Sequence, residues 1–280
     1  MGNSTLRHEK ALADAKNKKA LVLALCIFIL LFVLQCGYYV KVYLSIKHDP
    51  GKYINERRGT ISSISKESPY IDTKIDLQGH NLSQVFRYFS NIALVDEGLD
   101  YKDTIRKWIS PIRFYAEGDL DDLIEDVLKK LFERMNTVEG FPGISRVYSV
   151  DDANLIGYFY NDETFYSFAE TYGGNKYTNG LTVLTLNEYD YSISSGLFIV
   201  RNGMTEARRR SVICEELVQS MGLENDSYAY PESLFYQGYN EVTEPNDLDW
   251  ILFRILYHPL VQSGMNYNQI LPVLTTITQH

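Results

Sequence analysis

Residues 214–227 read Cys-Glu-Glu-Leu-Val-Gln-Ser-Met-Gly-Leu-Glu-Asn-Asp-Ser. Ile213, Cys214, Leu217 and Met221 recur at helical spacing on an apolar side, while Glu215, Glu216 and Gln219 load the helix with carboxylates and an amide. Gly222 stops the helix, and Asn225-Asp226-Ser227 reads as a turn whose side chains can bond nearby backbone. Backwards, the helix reaches to about Thr205 and is fed by an apolar run at 193–200 that reads as a strand.

Working outward, apolar runs at 144–150, 155–160 and 181–187 read as further strands, with the Tyr/Gly/Asn stretch Tyr172–Gly180 as a long surface loop. Leu120, Leu123, Ile124, Val127, Leu128, Leu131, Phe132 and Met135 mark the strongest amphipathic helix, opened by Asp119 and closed near Gly140, after a short strand at Ile112–Ala116. Leu82, Val85, Phe86, Phe89, Ile92 and Ala93 predict a helix capped by Asn81 and stopped by Gly98, and a last helix runs from about Asp247 to Tyr257, before Pro259. No internal repeat is present. Helix, strand, helix, several strands and two helices make an α+β domain over residues 79–280.

Ahead of it, Ala20–Val40 (ALVLALCIFILLFVLQCGYYV) contains only Gln35 and Gly37 outside the apolar set, between Lys19 and Lys41. As a helix it is about 31 Å long, enough for a hydrocarbon core of roughly 30 Å, so a single N-terminal transmembrane helix is expected, with Tyr38 and Tyr39 at the interface. The run is too long for a cleaved signal peptide and no small-x-small site follows it, which favours a signal anchor. Leu25 and Gln35 before the two cysteines and Leu6 near the N-terminus speak against lipid attachment. Residues 41–78 mix Gly, Pro, Ser and charge as a stalk does.

The 27 Lys+Arg and 36 Asp+Glu give a formal charge of -9. Residues 1–40 hold five basic and two acidic residues, so the remaining 240 carry 22 against 34, a net of -12. Such a domain repels a phosphate backbone, and no nucleic-acid partner is expected. Basic residues tie on the two sides of the apolar helix, but an acidic domain with Cys214 as its one cysteine suits export. The expected arrangement is a cytoplasmic tail at 1–19, residues 20–40 in the lipid bilayer, and the domain in the periplasm or outside the cell.

The 214–227 stretch has the skeleton of a metzincin zinc helix. In H-E-x-x-H-x-x-G-x-x-H two ligands one turn apart face the metal, the glutamate serves as base, and the glycine turns the chain so that a third ligand returns. Placing Glu216 on that glutamate puts Gly222 on the glycine and Glu215, Gln219 and Asn225 on the ligand places. No histidine remains, and amides are poor zinc ligands. Glu215, Glu216, Asn225 and Asp226 could offer oxygen to a hard cation, although no known calcium loop is present. The third reading, the expected one, is a hydrogen-bonded polar cluster tying Glu215, Glu216 and Gln219 to the 225–227 turn, with no cofactor.

Glu215-Glu216-Leu217-x-Gln219-x-x-Gly222-Leu223-x-Asn225-Asp226-Ser227 carries a family resemblance, together with Ser233-Leu234-Phe235, Leu256-Tyr257-x-Pro259, Gly264-Met265, Ile92-Ala93 and Arg106-Lys107-Trp108. Over roughly residues 80–270 the chain resembles the bacterial envelope proteins grouped as domain of unknown function 2927 (DUF2927), which look like zincin metallopeptidases with a degenerate zinc site. The resemblance implies a zincin-like fold: a twisted mixed sheet over a long helix, the 205–221 helix lining a cleft, and Met265 in the place of a metzincin Met-turn. The motif residues Gly222, Asp226, Ser227 and Met265 are then structural. It implies no activity, since the family's own function is unknown.

Other chemistry is thin. There is no G-x-S-x-G, P-loop, Rossmann glycine pattern, HxH or CxxC. Cys214 reads as an inert core thiol, His80 and His258 as turn or helix-end residues, and Arg208-Arg209-Arg210 as a solvated face, its alternative being a site for an acidic partner or headgroup. The expected function is a catalytically silent, membrane-anchored zincin-like domain that binds an envelope protein or has a structural role there. The alternative is an active metallopeptidase with non-standard ligands and Glu216 as general base.

Overall fold

The computed structural model describes residues 74–94, 104–239 and 242–278. The expected tail at 1–19, the apolar helix at 20–40, the stalk up to residue 73 and the stop at Gly98 lie outside them. Among the described residues no helix is long and apolar enough to cross a membrane. Near the start of the described residues, Ile75 is buried and donates its N–H to the Ile277 carbonyl at 2.7 Å.

In chain order the elements are α1 (Leu82–Ala93), β1 (Ile112–Gly118), α2 (Asp122–Met135), β2 (Ile144–Arg146), β3 (Leu155–Tyr160), α3 (Asp162–Glu170), β4 (Gly180–Leu186), β5 (Ile193–Arg201), α4 (Glu206–Gln219), α5 (Asp247–Tyr257) and α6 (Tyr267–Thr278). The strands form one mixed sheet in the order β2-β1-β3-β5-β4. β1 pairs in parallel with β2 and β3, β3 pairs in parallel with β5, and β4 closes one edge antiparallel to β5. The outcome is a mixed α/β domain of five strands and six α-helices among the described residues.

Local chemistry accounts for the helices that the sequence predicts. Asn81 caps α1, its Oδ1 accepting from Ser83 N at 2.9 Å, and Val85, Phe86, Phe89 and Ile92 turn inward. α2 begins after Asp121, whose Oδ1 accepts from Ile124 N at 3.1 Å, and not at Asp119. Asp119 is occupied elsewhere: its N–H donates to Phe159 O in β3 and its carbonyl accepts from Asn202 Nδ2. α2 also ends before Gly140, because Asn136 turns out to bond both backbone groups of Ile144 in β2, at 2.8 and 2.9 Å. Pairing of that strand stops at Arg146, short of the expected 150.

Two helices have no counterpart in the sequence reading. α3 follows β3 directly, capped by Asn161, and buries only Phe165 and Ala169, too few positions to set a period. α6 contains Pro272 and a β-branched run that lowers helix propensity. It is held by a reciprocal cap between Asn266 and Gln269 (3.0 and 3.1 Å) and by the burial of Ile270, Leu274 and Ile277.

Helices α2 and α4 pack together, α4 also lies against β4 and β5, and α3 packs on β3 and β5. The main core joins Phe114 and Phe198 of the sheet to Leu128, Leu217, Trp108 and Tyr257, whereas Phe165 and Ala169 of α3 form a separate small cluster with Ile199. This architecture fixes α4 between the sheet and the loops that follow it.

Candidate functional site

Thr205 starts α4, its hydroxyl accepting from Arg208 N at 3.3 Å. The other end is clamped from three directions. Trp108 Nε1 donates to Ser220 O at 2.9 Å, and Tyr257 OH donates to Met221 O at 2.8 Å. Gly222 then leaves the helix at φ +107°, with the Arg106 carbonyl so close that a Cβ would run into it. Both the left-handed backbone and the missing side chain are therefore required here. Arg106 continues the clamp with an ion pair to Glu224 at 3.1 Å.

On this fixed helix, Glu216 is 5% exposed and points at β4. The Thr182 hydroxyl donates to its Oε2 at 2.8 Å and lies 3.1 Å from its backbone carbonyl. Gly180, two residues earlier, leaves the space, since a Cβ there would overlap the Glu216 side chain and Val212. The expectation that Glu216 holds the 225–227 turn is thus corrected: its hydrogen-bond partner is a strand residue 34 positions away. Gln219 makes the tie to the turn instead, donating Nε2 to Asp226 Oδ1 at 3.0 Å.

Asn225 faces the other way. Its backbone N–H and its Nδ2 both donate to Ile92 O, at 3.1 and 2.9 Å, satisfying a carbonyl at the C-terminal end of α1. Ser227 organises its loop: its Oγ accepts from Ala229 N, its N–H donates to Phe235 O, and its carbonyl accepts from Gln237 N. Met265 is tied to the segment before Trp108, its carbonyl accepting from Ile105 N at 2.7 Å and its Sδ from Gln262 N at 3.3 Å. Of the places marked in the sequence, α4 therefore gathers Glu215, Glu216 and Gln219 with Asp226, while Asn225 and Met265 bond elsewhere.

The gathered set is acidic and poorly solvated. Burial, then the charge of Asp226, push Glu215 up to about 7 against the pull of Arg208. Burial and then Glu215 hold Glu216 well above the carboxylate range, opposed by the Thr182 hydrogen bond and Arg208. Burial thus favours the protonated form of Glu216, while Glu215 titrates near neutral pH. Among the described residues no three His, Cys, Asp or Glu side chains are grouped so as to hold a metal ion.

The remaining singled-out residues have local tasks. Cys214 is buried, donates to Thr243 O at 3.3 Å, and is pushed up to about 12 by burial, so it is a protonated core thiol. His258 caps α5, its Nδ1 accepting from Leu260 N. Arg209 and Arg210 are not a free solvated face: they pair with Asp121 (2.6 Å) and Asp126 (3.2 Å) and fasten α4 to α2.

Two polar centres had no sequence signal strong enough to mark them as sites. Lys107 is buried, donates Nζ to Leu256 O (3.1 Å) and to Val261 O, and is brought down to about 7 by burial. Tyr88 OH donates to Ser233 Oγ at 2.6 Å, which donates to Asp249 Oδ1 at 2.6 Å, while Leu234 N and Asn246 N donate to Asp249 Oδ2. The Asn246-x-x-Asp249 capping box is the clue that the sequence does hold.

Fold and site together define a mixed α/β domain in which a helix carrying two adjacent glutamates, one of them buried, is fixed at both ends against a five-stranded sheet. Residues 83–276 match the family described as Protein of unknown function (DUF2927), and the chain belongs to that family. Among curated proteins none matches the chain.

Proposed function

We propose that this chain is a membrane-anchored, extracytoplasmic, zincin-like domain that is catalytically silent and acts by binding a protein of the bacterial envelope or as a structural component there. One observation carries the silent reading. Three of the four side chains at the ligand and base places are directed to bonds within the domain: Glu216 to Thr182, Gln219 to Asp226, Asn225 to Ile92. The zincin-like reading draws support from strand β5 leading into α4 and from α4 lying against the mixed sheet. Tyrosine dominates the exposed large side chains, with Tyr148, Tyr177, Tyr189, Tyr228 and Tyr239 all more than two-thirds exposed, which suits recognition of another protein.

The competing reading, a metallopeptidase with Glu216 as general base, needs an ionised Glu216. Burial beside Glu215 opposes that. Metal analysis of the purified full-length protein tests the choice. The silent reading expects substoichiometric zinc, unaltered by Glu215→Ala or Gln219→Ala; stoichiometric zinc lost in either variant would overturn it. Protease added to intact spheroplasts tests the topology, which requires that the 79–280 domain be cut.

A further inference from the structure

The C-terminal turn of α2 and one side of α5 enclose a cavity of about 300 Å³ lined by Arg134, Thr137, Val138, Glu139, Trp250 and Arg254. Two guanidinium groups share it. Arg134 lies over the indole of Trp250, 5.4 Å from the ring centroid. Arg254, one turn beyond Trp250, donates Nε to the Trp250 carbonyl at 3.2 Å, and its Nη2 is shut away from solvent with no acceptor.

Five other arginines of this acidic domain hold carboxylates. Arg106 holds Glu224, Arg146 Glu125, Arg201 Asp162, Arg209 Asp121, and Arg210 both Asp126 and Glu206. Arg134 and Arg254 have no ion pair among the described residues, although Glu139 lines the same cavity. Both line the cavity, and burial first, then the charge of Arg134, lower the pKa of Arg254 from the ordinary guanidinium range, with Asp247 and Asp76 acting in the opposite sense.

We propose that this cavity binds an oxyanion, a carboxylate or a phosphoryl group, clamped between Arg134 and Arg254 against Trp250. A guanidinium offers paired N–H donors spaced for two oxygens of one anion, and a single oxyanion between two such forks relieves their mutual repulsion. A turn of the Arg254 guanidinium gives its orphaned nitrogen an acceptor. Trp250 holds Arg134 in place by its ring face, so little side-chain freedom remains to be lost on binding. A second hollow of about 510 Å³ shares Arg134 and Trp250 and continues past Lys130, Arg210 and Thr243. It gives room for the rest of a larger molecule whose acidic group sits between the arginines.

The test titrates full-length protein with inorganic phosphate and, separately, with succinate at constant ionic strength, following tryptophan fluorescence and melting temperature. A saturable response to at least one of them is expected. It weakens at least about tenfold in Arg134→Gln and in Arg254→Lys, which keeps the charge but loses the fork, and stays within about twofold in Arg209→Gln. Arg134 is exposed, so its variant keeps the fold. Saturation by phosphate alone assigns a phosphoryl ligand, and saturation by succinate, alone or as well, assigns a carboxylate. A response that never saturates with either anion, or equal affinity in wild type and both cavity variants, overturns the proposal.

Discussion

Replacing Glu215 by Gln removes one carboxylate from a pair that the fold makes difficult to ionise. In the folded chain Glu215 titrates at about 7, against 4.5 for a free glutamate, because it is half-buried and faces Asp226. The folded state thus binds this proton more tightly than the unfolded state. Stability is greatest below about pH 4.5 and declines as pH rises toward 7, the range in which the unfolded chain has released the proton and the folded chain has not. At about 1.4 kcal/mol per pH unit the loss above pH 7 is at most about 3.5 kcal/mol, an upper figure since the group keeps some contact with water. Gln cannot ionise, so Glu215→Gln should match or fall slightly below wild type at pH 4.5 and exceed it at pH 8 by about 2–3 kcal/mol. Urea unfolding of both proteins at a series of pH values measures the difference, in which titrations common to the two cancel. Parallel pH profiles for wild type and variant would refute the reasoning, because they would mean that Glu215 ionises as freely in the fold as outside it.

Three further substitutions address the rest of the site. Glu216→Gln preserves shape and an acceptor for Thr182 and should stay within about 1 kcal/mol of wild type near pH 7, whereas Glu216→Ala leaves a hole and an unpartnered hydroxyl and should cost about 2–4 kcal/mol in chemical unfolding. Gly222→Ala forces a Cβ into the Arg106 carbonyl at a left-handed φ, and a loss of at least about 3 kcal/mol is expected in the same assay. Asp249→Ala strands the Ser233 hydroxyl and the Leu234 and Asn246 amides, and should lower stability by about 3 kcal/mol or more, visible as a fall in melting temperature.

The sequence revealed helices wherever one face repeats at three and four residues: Val85, Phe86, Phe89 and Ile92 in α1, Leu123 to Met135 in α2, Leu217 and its neighbours in α4. It concealed α3, which buries two residues, and α6, where Pro272 and a threonine run argue against a helix that tertiary packing enforces. The polar places on α4 were legible because they lie within one stretch of chain. Their partners were not. Thr182 and Gly180 come from a strand some 34 residues upstream, and nothing about a threonine in an apolar run announces that its hydroxyl will meet a buried glutamate. Lys107 escaped for a similar reason, since its acceptors are carbonyls near the end of α5, almost 150 residues on.

Most of the residues that carry the family resemblance hold the end of α4 and the segments around it, and that separates architecture from candidate function. Trp108 and Tyr257 bond the last carbonyls of α4, Arg106 crowds Gly222 and pairs with Glu224, Asn225 closes α1, and Ser233 anchors the following loop to Asp249. Glu216 is bonded to β4 and Gln219 to Asp226. Glu215 alone of the polar places on α4 makes no hydrogen bond or ion pair among the described residues, although it stays half-buried and titrates near neutrality. Ionising a carboxylate in so unfavourable a position weakens the fold. A donor or a cation brought to Glu215 would stabilise its ionised form, and the gain from that pairing would rise with pH through 7, as the proton leaves.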